Sequence, residues 1–112
     1  MPKEKSLYEQ IQEEYFFNRD IYSIRPELAE KAKLKALKEL EKEGERVTLD
    51  DLLLIPDVYE MIASAVEREV PPNIFPYVDI IAIIRDEIYN GYLDYIIVTV
   101  NSATIWVFWF TR

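Results

Sequence analysis

Two runs rich in β-branched and aromatic residues, parted by one polar pair, dominate the hydrophobic pattern of this chain. They read Tyr92-Leu-Asp-Tyr-Ile-Ile-Val-Thr-Val, then Asn101-Ser102, then Ala-Thr-Ile-Trp-Val-Phe-Trp-Phe-Thr-Arg. That spacing predicts an antiparallel β-hairpin with a two-residue turn, in which Ser102 stands where Gly is preferred. With that turn, Val100 faces Ala103 and the register follows. One face then carries Ile96, Val98, Ile105 and Val107. The other carries Leu93, Tyr95, Ile97, Trp106, Phe108 and Phe110. A sheet with one wet face alternates apolar with polar residues. This hairpin is apolar on both faces, so both must be covered.

The rest of the pattern has helical periods. Ser6-Leu-Tyr-Glu9 is a capping box that starts a helix near Leu7, and Leu7, Ile11 and Tyr15 follow at four-residue spacing. Asn18 to Arg25 reads as a connection. Pro26 suits the first turn of a second helix and Gly44 its stop, a length of about 18 residues by those signals. On it Ala29, Ala36, Leu37 and Leu40 lie roughly opposite Lys31, Lys35, Lys38 and Lys42. Thr48, with Asp51 as its partner, opens a helix carrying Leu49, Leu52 and Leu53. After Pro56, the pattern Asp57-Val-Tyr-Glu60 starts another, with Val58, Met61, Ile62, Ala65 and Val66 as its apolar stripe. Pro71-Pro72 ends it. Tyr77, Ile80, Ile81, Ile84 and Ile88 fit a last amphipathic helix, although Ile80 to Ile84 also suits a buried strand. Asn90-Gly91 leads into the hairpin.

The fold class expected is α+β, one domain over 1–112: four helices, the broken pair over 48–70 counted once, followed by a C-terminal antiparallel β-hairpin. The helix, break, helix outline over 48–70 resembles a helix-turn-helix, with the hairpin as a wing.

Composition narrows the chemistry. The 112 residues include no His and no Cys. Disulfides, thiolate zinc sites, thiol nucleophiles and His-based acid–base catalysis are thereby removed. The only glycines are Gly44 and Gly91, so no Gly-rich phosphate loop exists. The serines lack any His, and no Ser-x-x-Lys pattern occurs. Asp79 and Asp86 lie seven residues apart without a third ligand, which makes a poor metal site. No enzymatic activity, cofactor or metal is expected. Richness in Lys, Glu and Ile with two Gln resembles a thermophile composition. Met1 to Asn18 is charged and lacks an apolar stretch, so no secretory signal is expected. The run Tyr95 to Thr111 is short for a membrane anchor and holds Thr99, Asn101, Ser102 and Thr104 in its middle. A cytoplasmic location without a membrane partner is the expectation.

Charge is uneven. Residues 1–46 carry net −1 and residues 47–112 net −7, together the −8 of the whole chain. The helix pair at 48–70 has Arg68 alone against six acids, a poor recognition helix for phosphates. Only the Lys31, Lys35, Lys38, Lys42 stripe could serve nucleic acid. Its plain alternative is a solvated face, with Glu27–Lys31 an ordinary helical ion pair. The expected role is a non-enzymatic interaction or regulatory protein with an unidentified protein partner, acting as a homodimer through Tyr95, Trp106, Phe108 and Phe110. The second strand, read as a sheet edge, would invite such pairing. A cover of the same aromatic face by Ile11, Tyr15 and Phe16 is the intrachain alternative. Two other roles stay open: a nucleic-acid-binding regulator using the lysine stripe, and an acidic decoy for a basic site on another protein.

Overall fold

The computed structural model describes residues 25–111. Among them lie three α-helices and a three-stranded antiparallel sheet. In chain order these are α1 (Pro26–Lys42), β1 (Leu53–Leu54), α2 (Ile55–Glu69), α3 (Ile80–Tyr89), β2 (Leu93–Val100) and β3 (Ala103–Phe110). Single 3₁₀ turns occur at Leu49–Asp51 and Phe75–Tyr77. The class is α+β. The helix expected from Leu7, and a cover through Ile11, Tyr15 and Phe16, lie outside the described residues.

Local chemistry sets most boundaries. Pro26 occupies the first turn of α1, where its missing N–H is no loss. At the other end Glu45 N–H donates to Leu40 O and Gly44 N–H to Glu41 O, a Schellman motif. It requires the left-handed backbone that Gly44 adopts at φ 85°. α3 starts on Asp79, whose Oδ1 accepts from Ala82 N–H at 3.1 Å. The choice between helix and strand at Ile80–Ile84 falls to helix. Tyr77, expected within that helix, sits before it in the 3₁₀ turn.

The hairpin has the expected register, Val100 opposite Ala103 through Leu93 opposite Phe110. Asn101 and Ser102 both take positive φ, 50° and 68°, as a type I′ turn demands.

Two expectations need correction. Thr48 does not open a helix. Asp51 Oδ2 does accept from Thr48 N–H at 3.0 Å and Thr48 Oγ at 2.9 Å, but the turn stops after one 3₁₀ rotation. The chain then becomes β1, with Leu53 opposite Phe108 and Leu54 opposite Val107. Consecutive leucines here point to opposite faces of a strand covered on both sides, so the helix-turn-helix outline is absent. Pro56 does not interrupt a helix but sits in the first turn of α2, and Asp57 accepts from Leu54 N–H at 3.2 Å. The second correction concerns β3. It is the central strand, in the order β1-β3-β2, so it is not a free edge.

The sheet is sandwiched. Against one face, Leu28, Ala29, Ala32, Ala36 and Leu40 of α1 pack with Leu52, Leu54, Val98, Ile105, Val107 and Trp109. Against the other, Ile55 and Val58 of α2 and Ile80, Ile81 and Ile84 of α3 pack with Leu93, Trp106 and Phe108. The helical apolar stripes matched to the Ile96/Val98/Ile105/Val107 face by sequence are those of Leu52, Val58, Ile62, Ile81 and Ile84; Leu52 packs there, and the other four lie on the aromatic face instead. α1 takes the aliphatic face because its alanines let a helix backbone come close to β-branched side chains. The free edge of β2 is partly guarded: Thr99 O accepts from Lys35 Nζ at 2.6 Å, and Asp94 Oδ1 accepts from Tyr95 N–H at 2.8 Å.

Candidate functional site

The four aromatic residues expected at a dimer interface do not form one outer surface. Trp106 and Phe108 are buried at 2% and 0% exposure beneath α2 and α3. Tyr95 is half-buried beside them, and Phe110 stands partly exposed at the strand end. The rings of Tyr95 and Trp106 lie 4.5 Å apart, Tyr95 and Phe108 5.8 Å, and Trp106 and Phe108 6.0 Å. These are packing distances of a core aromatic cluster. A second copy cannot reach Trp106 or Phe108, because the chain's own helices already cover them. Trp106 Nε1 is buried with no hydrogen-bond partner among the described residues, a cost the cluster carries. Burial, and then the charge of Asp94, raise the Tyr95 phenol above its ordinary value of 10.0.

The lysine stripe is an outer surface. Lys31, Lys35, Lys38 and Lys42 are all exposed on α1. It is not uniformly basic, since α1 also carries Glu27, Glu30, Glu39 and Glu41. Lys33 pairs with Glu30 at 3.7 Å, and Lys35 is turned toward the hairpin through Thr99.

The carboxylates are tied to chain geometry. Asp51, Asp57 and Asp79 each hold the start of a turn or helix. The two hydrogen bonds from Thr48, backbone first, hold the Asp51 carboxyl below its ordinary 3.8. Among the described residues no three acidic side chains gather as a metal site would require. No helix among them is long and apolar enough to cross a membrane.

The outer side of α2 is the surface that sequence reading missed. Leu53, Asp57, Glu60, Met61, Ser64 and Arg68 line an open depression of 530 Å³. The expected apolar stripe of α2 divides in two. Val58 is buried and Ile62 and Val66 are half-buried, whereas Met61 and Ala65 are exposed. The signal was present in the spacing: 55, 58, 59, 62 and 66 share one face, and 61 and 65 fall one step outside it. The loop after α2, Pro71-Pro-Asn-Ile-Phe-Pro-Tyr77, has no charge and leaves Ile74 and Tyr77 exposed. No protein-family model matches this chain, and no curated protein or solved structure shows detectable similarity to it.

Proposed function

We propose that this protein works by binding rather than by catalysis, as a small interaction or regulatory protein that acts as a homodimer. The observation that supports this is the outer face of α2 with the loop behind it. Met61, Ile74 and Tyr77 stand 49%, 47% and 86% exposed there, on a chain that buries its strongest aromatic cluster. Large apolar side chains left exposed on one helix and on the loop that follows it are candidates for an interaction surface. Carboxylates engaged in starting helices are poorly placed for acid–base chemistry, which supports the same reading. Sedimentation equilibrium across a wide concentration range tests it. The expected result is a mass that rises from the 13.3 kDa of one chain toward twice that value. A mass that stays at one chain at the highest concentration refutes the homodimer.

A second reading has one observation in its favour, the exposure of Lys31, Lys35, Lys38 and Lys42. If those lysines contact nucleic acid, affinity falls with salt at a log–log slope of about −0.9 per phosphate contact. Replacing Lys35 and Lys38 by Glu then abolishes binding to duplex DNA. Binding that is unchanged in the double variant removes the stripe.

A further inference from the structure

This inference rests on the homodimer reading and names its surface. We propose that two copies join by packing α2 against α2 in antiparallel fashion, about a two-fold axis at Ser64. An isologous contact needs a patch that is its own complement. The α2 stripe has that property. Asp57, Glu60, Met61, Ser64 and Arg68 follow one another at helical spacing and share the depression. Glu60 and Arg68 lie at equal distances before and after Ser64. An antiparallel crossing at Ser64 sets Glu60 of one copy against Arg68 of the other, twice. A parallel crossing sets like charge against like. Neither Glu60 nor Arg68 belongs to the ion pairs among the described residues, Lys33–Glu30 and Arg85–Asp86. Both therefore remain available to a second chain.

Size and polarity agree with the charge order. Ser64 and Ala65 are small and exposed, so helix axes can approach to about 8–10 Å. Met61 and Leu53 supply apolar surface beside the crossing. The same two-fold axis carries the uncharged Pro71–Tyr77 loop of each copy toward the start of α2 in the other, where Leu53 is half-buried. A single helix pair buries less than the ~800 Å² per partner of a standard interface. The dimer is therefore weak and depends on the loop as well as the helix.

The test exchanges the charges. Glu60→Arg raises the net charge of each chain toward zero, so general repulsion between acidic copies predicts tighter association. The proposed contact predicts the opposite, because the introduced guanidinium would meet Arg68 of the other copy. Each of E60R and R68E alone should weaken the dimer about tenfold or more, two pairs being lost per dimer. The double exchange, whose net charge equals that of the wild type, should restore it. Circular-dichroism melts of all three variants confirm folding, since both side chains are exposed. Restoration in the double variant upholds the antiparallel contact. A wild-type dimer indifferent to all three exchanges refutes this surface while leaving the homodimer intact. A double variant as weak as the single ones refutes the antiparallel arrangement. A wild type that is monomeric throughout refutes both the surface and the dimer.

Discussion

Phe108→Ala separates a core residue from an interface residue. Phe108 is fully buried on the central strand, opposite Leu53 on one side and Tyr95 on the other. Its ring lies 5.8 Å from that of Tyr95 and 6.0 Å from that of Trp106. α2 and α3 close over it, so the site cannot collapse without moving the sheet. Truncating such a ring costs about 3–5 kcal/mol. Folded domains are stable by only roughly 5–15 kcal/mol, so the loss is a large fraction of the total. At about 4–8 °C per kcal/mol, Tm falls by roughly 12–40 °C. Guanidinium unfolding followed by the fluorescence of Trp106 and Trp109, both buried, measures the difference directly. Ile97→Thr is the matched control. Ile97 lies on the same sheet face but is 45% exposed, and Thr keeps its β-branching, so the change should stay within about 0.5 kcal/mol. If Phe108 lay between two copies instead, its truncation would dissociate a dimer and leave unfolding of the monomer nearly unchanged. An F108A protein within about 1 kcal/mol of wild type refutes the core assignment.

Ser102→Gly should stabilise the hairpin by up to about 1 kcal/mol, because Ser102 is held at φ 68° where only Gly is free of Cβ strain; a lower Tm would contradict the type I′ turn. Asp51 has a folded pKa lowered chiefly by the Thr48 backbone hydrogen bond. Its contribution to stability is therefore present above 3.8 and lost as pH falls through the lowered value. Asp51→Asn should flatten the acid limb of a stability–pH curve from guanidinium titrations, and an unchanged limb would show that the contact has no energetic role.

What the sequence disclosed was local. The Asn101-Ser102 turn, the Pro26 start and the Gly44 stop are each decided by a few neighbouring residues, and each stands where the sequence puts it. Leu52-Leu53-Leu54 was misread because leucine favours helix, and only the unpaired side of β3 makes a strand of it. The role of α1 was partly hidden because Ala29, Ala32 and Ala36 contribute little apolar area by themselves. Their value is the close approach they permit, which depends on what lies opposite. Met61 was placed on the wrong side of α2 for a similar reason. An apolar stripe has soft borders, and the sheet and α3 determine which of two adjacent rows turns inward.

The misplaced interface has a cause of the same kind. An apolar face can be covered by the chain's own helices or by a second copy. The first choice forfeits no translational freedom, whereas association of two chains costs an estimated ~4–15 kcal/mol before any contact is made. A face that a tethered helix can reach is therefore covered from within. The large aromatic cluster of Tyr95, Trp106 and Phe108 was the most conspicuous apolar feature of the sequence, and the chain's own helices cover it. What remains outside includes a methionine beside small residues on α2 and an uncharged loop with Ile74 and Tyr77, with Leu34, Tyr89, Tyr92, Ile97 and Phe110 exposed elsewhere. In a chain of this size those leftovers point to a partner better than the strongest hydrophobic run does. On α2 they coincide with a charge order that is the complement of its own reverse.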